Sequence, residues 1–301
     1  MELSVVVATM DRPGSLRRAL ESFARQSLLP ERFELVVVDN GTHQATEATV
    51  KEFSGRLAHC VFLREPRPGA AAARNTGIRA AGGATILFLD DDVVADPQLF
   101  ERHLAAQRAG QHLAVLGSVR FPWSGSESPL KLAVTLHPEL IQSFSFPDAN
   151  NVPFRYFYTC NLSLPRAFFT SNNFFDESFT GSGFEDIELG YRFVNAGGRI
   201  IYLAEASALH DIELAFPRFS RKAYRNGWWL AHLLRLHPEL APQLAPRTSL
   251  PKLFLGRLSA PLAPLFDQHL ATPWLARLCW LSLQARFWKG FKDYSRAGTK
   301  R

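Results

Sequence analysis

Along the first 120 positions, short apolar runs alternate with segments of helical period. Leu3–Ala8 is a β-branched apolar run, and Pro13-Gly14-Ser15 opens a pattern that puts Leu16, Ala19, Leu20 and Phe23 on one face. Glu34–Val38 predicts a second strand closed by Asp39-Asn40-Gly41, with a short helix around Ala45–Phe53 and a third strand at Cys60–Leu63. Ala70–Ala81 predicts an alanine-rich helix that Gly82-Gly83 ends. Ile86–Leu89 predicts a fourth strand. Asp96-Pro97 predicts the start of another helix, with Asp96 as its cap, and Leu113–Arg120 predicts the fifth strand. This alternation is that of an α/β protein with a mostly parallel central sheet and helices on both faces. Thr9, Asp39 and Asp90 then end neighbouring strands along one edge, the edge at which such sheets bind nucleotides.

Further on, Ile200–Leu209 predicts a strand closed by His210 and Asp211. From Arg218 the chain turns basic, aromatic and mostly helical, with prolines at 238, 242, 246, 251, 261 and 264. In the last segment Trp280, Leu283, Phe287 and Phe291 share a face while Arg286, Lys289 and Lys292 project elsewhere. Such a helix has three readings: a peripheral contact with the inner face of a membrane, packing on the catalytic domain, or a subunit contact.

Composition changes this picture little. Apolar residues make up 47% and charged residues 21%, which suits a globular core. The net charge of +6 favours acidic partners without choosing among nucleotides, lipid surfaces and nucleic acid. Basic residues are dispersed and no RNA motif with interleaved aromatics occurs, which argues against nucleic acid. Cys60, Cys160 and Cys279 lack the spacing of a zinc site or a disulfide framework. No signal-peptide pattern precedes the first strand, and no run nears the ~18 uncharged apolar residues of a membrane span. A cytoplasmic location is therefore expected.

The chemistry is concentrated in two acid clusters. Asp90-Asp91-Asp92 follows the fourth strand directly. Three adjacent carboxylates cannot be buried unpaired, so they form either a solvated turn or a site for a hard divalent cation. The first strand–helix turn, ATMDRPGS, has a single glycine, and neither a dinucleotide glycine fingerprint nor a Walker lysine loop is present. Carboxylates bridging through a metal would replace those backbone phosphate cradles. The second cluster lies in FTGSGFEDIELGYRF (Phe179–Phe193), where Glu185, Asp186 and Glu188 begin a helix after a glycine-rich loop. Favourable placement at the helix dipole is one reading of these acids, and a general base is the other. His210 suits manganese as a third ligand beside aspartate.

Taken in order, SVVVAT, VVVDNG, GAAAARNTGI, FLDDDV, GFEDIELGYR and ALHD resemble the family 2 glycosyltransferases of GT-A fold, over roughly residues 1–215. The resemblance implies an inverting transferase with a nucleotide-sugar donor (a UDP-sugar by default), Mn2+ or Mg2+, and a carbohydrate or lipid-linked acceptor in surface polysaccharide or glycolipid assembly. It implies that Thr9, Arg12 and Asp39 contact the nucleotide, and that Arg74 and Asn75 help to hold both nucleotide and Asp90. Asp92 becomes the direct metal ligand, Asp90 lies nearer the ribose or a metal-bound water, and His210 is a further ligand. Asp186 becomes the base, and Glu185 an acceptor-binding or orienting acid. Where the family often has a tryptophan, this chain has Ser182, so indole stacking on a sugar is lost there; Phe184 is the aromatic available to replace it. The expected organisation is a catalytic domain over 1–215, split near 120 into nucleotide and acceptor halves, and a helical extension over 216–301. A sugar-nucleotide nucleotidyltransferase and a non-catalytic nucleotide-binding scaffold are the rival readings.

Overall fold

A computed structural model describes residues 1–42, 44–57, 59–110, 112–122, 127–142, 144–170, 173–246, 249–268 and 271–298. The elements run β1 (Leu3–Thr9), α1 (Pro13–Phe23), β2 (Phe33–Asp39), α2 (Gln44–Lys51), β3 (Cys60–Arg64) and α3 (Ala70–Ala80). They continue with β4 (Thr85–Asp90), β5 (Val93–Ala95), α4 (Leu99–Arg108), β6 (Leu113–Arg120), α5 (Pro129–Leu136) and β7 (Asn161–Pro165). The last are α6 (Glu185–Asn195), β8 (Arg199–His210), α7 (Phe216–Leu236), α8 (Ala241–Leu244), α9 (Leu250–Leu258) and α10 (Pro273–Gly298). The chain forms two compact units. One comprises Met1–Pro122 with Phe144–Ile212, the other Trp123–Ser143 with Glu213–Arg301. The segment around α5, which the sequence reading grouped with the acceptor half, thus belongs with the C-terminal helices.

In the first unit the strand order is β3-β2-β1-β4-β7-β6-β8-β5. The first four strands are mutually parallel, whereas β7 pairs antiparallel to both β4 and β6. Alternation along the parallel strands sorts the core into two layers. Val5, Val7, Leu35, Val37, Leu87 and Leu89 pack with Leu16, Leu20 and Phe23 of α1 and Phe100 of α4. Val6, Val36, Val38, Ile86 and Phe88 point the other way, onto Ala71, Ala73 and Ile78 of α3 and Leu189 and Phe193 of α6. Burial on both faces explains why these strands read as unbroken apolar runs.

Two local features differ from expectation. The helix after β5 begins at Leu99 with Gln98 preceding it, and the Asp96 carboxylate accepts from Arg120 instead of capping. The strand β5 had no counterpart in the sequence reading. It pairs antiparallel with β8, setting Val93 opposite His210.

The second unit is helical, and α10 runs along α7, α9 and α5. The crossing of α7 and α10 is close because Gly227 and Gly290 face it: a Cβ on Gly227 would lie 1.8 Å from the Phe287 carbonyl oxygen, and one on Gly290 1.9 Å from that of Tyr224. Tyr224 donates to Asp293 (2.9 Å), and the ring nitrogen Nδ1 of His232 meets the Tyr294 hydroxyl at 2.7 Å. The Trp280/Leu283/Phe287/Phe291 face of the terminal helix lies among the other C-terminal helices, with Leu283 buried and Trp280, Phe287 and Phe291 half-buried. Among the described residues no helix is long and apolar enough to cross a membrane.

Because the obstructing atoms at Gly227 are backbone, the helices must separate to admit a side chain. Gly227→Ala is expected to destabilise by about 1–3 kcal/mol, despite alanine's higher helix propensity. Urea unfolding measures this, and a midpoint at or above that of the parent would contradict the close-crossing account.

Candidate active site

Register places the candidate residues level with one another. Thr9 lies opposite Asp39 and Ala8 opposite Asp90, so β1, β2 and β4 end along one edge. Beyond β4 the chain turns through Asp91 and Asp92 into β5. The Asp211 amide donates to the Asp92 carbonyl (2.7 Å), fastening the end of β8 to this turn. As a result His210 Nε2 meets Asp92 Oδ1 at 2.8 Å, across 118 positions of sequence.

Asp90, Asp92 and His210 each present one ligand atom, and the three atoms lie within 4.8 Å of one another. Two carboxylates and an imidazole make a mixed oxygen–nitrogen set that fits a divalent cation such as Mn2+ or Mg2+. Phe121, at the end of β6, stacks on the His210 ring with centroids 5.5 Å apart and orients it. His210 Nδ1 is buried with no partner among the described residues, so no second-shell acceptor fixes its tautomer.

The charges around this set are balanced within the chain. Arg12 donates through Nη1 to Asp91 (2.7 Å) and pairs through Nη2 with Asp92, and the Thr9 hydroxyl donates to Asp91 at 2.6 Å. Burial pushes the Asp91 carboxyl up to about 7, although Arg12 pulls against it. Burial acts in the same direction on Asp92, but His210 and then Arg12 outweigh it and hold Asp92 below the usual carboxylate range. Thr9 and Arg12, expected on the nucleotide, are thus seen engaging the acid turn. Asp39 is completely buried; its Oδ1 accepts from the Gly41 amide (2.9 Å), while Oδ2 has no partner among the described residues. A buried, unpaired carboxylate oxygen at a strand end is ready to accept a ligand N–H or O–H.

The second acid cluster joins the first through Arg74. From α3, this buried side chain donates to Glu185 Oε1 (2.7 Å) and reaches Asp90 Oδ1 at 3.5 Å. Glu185 also accepts from the Gly183 amide at 2.5 Å. Each of its oxygens thus accepts one hydrogen bond from within the chain. Asp186 is half-buried and accepts from the Ile187 amide. Burial raises its carboxyl well above the usual range; Glu185 adds to the effect and Arg74 opposes it. Phe184, just before α6, adopts a left-handed conformation at φ 70°, which is strained for an aromatic residue.

Asn75, expected to help hold the nucleotide and Asp90, hydrogen-bonds a different segment within the chain. It is fully buried, and its amide bonds the backbone of Phe175 in both directions (2.9 Å each) and Glu177 Oε1 (2.9 Å). It ties the segment before α6 to α3 and makes no hydrogen bond to Asp90 among the described residues. The sequence reading gave no individual role to Asp91, Phe121, Asp11 or Asn40. Asp11 accepts from the Thr42 amide, and Asn40 bonds the backbone of Glu65, Arg67 and Gly69, so each fastens one edge loop to another. Asp and Asn in tight turns were the only available signal for these last two.

Strand ends carrying a metal-competent Asp/His set, beside a helix that begins with acids, are the arrangement of a GT-A nucleotide-sugar transferase fold. The chain belongs to glycosyl transferase family 2, whose sequence profile matches residues 4–161. It is 34% identical over 268 residues to validoxylamine A glucosyltransferase of Streptomyces hygroscopicus subsp. limoneus, an alignment covering 80% of this chain. The chain spans 58% of that relative's length. Among solved structures, mannosyltransferase PcManGT from Pyrobaculum calidifontis, in complex with GDP-Man and Mn2+, superposes with a TM-score of 0.60 at 17% identity, covering 100% of this chain and 76% of that one. S. aureus TarS 1-349 in complex with UDP-GlcNAc gives 0.57 at 16% identity, covering 99% and 92%. At these identities the structural likeness bears on the fold.

The buried Arg74–Glu185 pair generates a stability prediction. Arg74→Met leaves Glu185 buried beside Asp90 and Asp186 without its cation, at an expected cost of about 3–5 kcal/mol. Adding Glu185→Gln removes the stranded charge and should recover much of that loss. A double-variant cycle by urea unfolding measures both, and additive losses would contradict the coupling.

Proposed function

We propose that this protein is a metal-dependent, inverting glycosyltransferase that moves a sugar from a nucleoside-diphosphate sugar to a hydroxyl of a carbohydrate or lipid-linked acceptor. The observation that carries the reading is the linkage of two unlike acid sites through Arg74. Asp90, Asp92 and His210 form a charged, cation-competent set, while Asp186 has its pKa raised toward neutrality. Carboxylates whose environments push their pKa values apart suit distinct chemical roles. Family membership favours transfer over the nucleotidyltransferase and scaffold readings. A UDP-sugar is the default donor; S. aureus TarS is described with UDP-GlcNAc and the Pyrobaculum enzyme with GDP-Man, which supports the donor class and leaves the base to be tested.

In this reading Asp39 Oδ2 accepts a hydrogen bond from the base or ribose, and Thr9 lies beside it. Arg12, whose side chain is about one-third exposed at 36%, is the cation positioned to turn from the acid turn to a phosphate oxygen. Asp92, Asp90 and His210 would hold the divalent cation, which when bound neutralises charge developing on the departing diphosphate. Asp186 takes the proton of the acceptor hydroxyl as the oxygen bonds the anomeric carbon and the bond to the diphosphate breaks. Glu185 and Arg74 hold the start of α6 so that Asp186 is correctly placed. One displacement with one base gives inversion, so an α-linked donor yields a β-linked product. Without a tryptophan at Ser182, Phe184 is the nearby aromatic for the acceptor sugar. Assembly of a surface polysaccharide or glycolipid is the setting that fits such an acceptor.

Asp186→Asn keeps the shape but cannot take the proton, so turnover should fall by about 100- to 10,000-fold. Donor affinity, read by titration calorimetry with UDP-sugars and GDP-sugars, should be preserved. The base works only when ionised. Its raised pKa therefore predicts that kcat/KM falls with acidification at a higher pH than an ordinary aspartate, near 3.9, would give. Unchanged turnover in the variant, or a retained anomeric configuration by proton NMR, would refute the assignment.

Asp92→Asn removes a charged ligand. Manganese should then no longer tighten donor binding, and EDTA should reproduce that loss in the parent protein. Equal donor affinity with manganese and with EDTA would exclude the metal assignment.

A further inference from the structure

The α9 helix presents an apolar face that the rest of its unit does not cover. Leu253 and Gly256 turn inward, and a Cβ on Gly256 would lie 2.2 Å from the Leu281 carbonyl oxygen of α10. On the outward side Leu250, Phe254 and Leu258 recur every fourth residue and are 75%, 65% and 59% exposed, with Leu255 beside them. Trp274, at the start of α10, is also exposed. With Leu136, Leu255 and Trp280 it lines a cleft of about 820 Å³ that continues the apolar surface. At 100° per residue Lys252 and Arg257 fall on opposite flanks of the α9 stripe. Both are exposed, as is Arg277 in the next helix, and none of the three has a carboxylate partner among the described residues.

The net charge is less evenly spread than the dispersed basic residues suggest, and in this region it favours an anionic partner. Residues 213–301 hold fifteen Lys and Arg against four Asp and Glu, whereas the remainder of the chain holds nineteen against twenty-four. The positive charge of the protein therefore resides in the segment that carries the apolar stripe. A second copy would bring the same cations against it and be repelled. A surface that is apolar beneath and anionic above satisfies both features at once.

We propose that α9 and the first turn of α10 form a docking surface for an anionic phospholipid bilayer, with Leu250, Phe254, Leu258 and Trp274 entering the interface and Lys252, Arg257 and Arg277 engaging headgroup phosphates. The membrane contact considered for the terminal helix is thus centred on the short helix before it, with the first turn of α10 beside it. This inference does not depend on the catalytic reading.

The test is co-sedimentation of the full chain with vesicles of phosphatidylcholine alone or with about 30% phosphatidylglycerol. Binding should be strong only with phosphatidylglycerol and should fall in about 0.5 M salt. Phe254→Ser/Leu258→Ser should weaken it by about tenfold or more. Lys252→Glu/Arg257→Glu should remove the preference for the anionic lipid. All four positions are exposed, and unchanged circular dichroism and thermal midpoint verify the fold. Absence of partitioning, partitioning equal for the two vesicle types, or partitioning that survives the Phe254/Leu258 substitutions would overturn the proposal. So would sedimentation velocity showing that those substitutions merely dissolve a dimer.

Discussion

Asp90, Asp91, Asp92, Glu185 and Asp186 gather at one end of a sheet, and their mutual repulsion is the constraint around which this part of the fold is arranged. Brought together from distant positions with only water as counterion, such a group would protonate or force the site open. The chain supplies Arg12, Arg74 and His210 instead, from a turn, a helix and a strand end. The compensation is uneven. Asp92 is held by His210 and Arg12 and stays below the usual carboxylate range, while Asp186 sits beside Glu185 and is raised. The distribution of these partners is thus uneven across the acidic patch: Asp92 is held acidic, whereas Asp91 and Asp186 are both raised toward neutrality.

That distribution depends on modest structural devices. The three-residue strand β5 brings β8 alongside the acid turn and so delivers His210 to Asp92. Asn75 and Glu177 tie the segment before α6 to α3, the helix that also carries Arg74. Asp11 and Asn40 connect the edge loops in the same way. These contacts tie together the segments that carry the acid clusters, and such rigid support is what a preorganised site requires.

The C-terminal helices obey a different physics. One glycine from each helix lets the backbones of α7 and α10 meet at their crossing, and Leu283 of α10 is buried among the C-terminal helices. What remains outward is the apolar stripe of α9 with its flanking cations. Period alone marked the terminal helix as the amphipathic candidate for a surface, because sequence shows that a face exists and not whether a neighbour already covers it.

The sequence by itself determined the parallel half of the sheet, since strands buried on both faces must be continuous apolar runs and their turns must carry the polar residues. It also determined the two acid clusters and the end-of-strand histidine, because charges adjoining such runs have few places to go. Tertiary structure alone decided the rest. The pairing of β5 with β8 rests on three residues, too few to show a period. Asn75 reads as a polar residue on a helix and becomes a latch only when a segment a hundred positions away folds onto it. Asp96 reads as a cap until Arg120 takes its carboxylate. Local pattern reports which residues must be buried or solvated, whereas the partner of each polar group is a long-range fact, set by which strands meet and in which register.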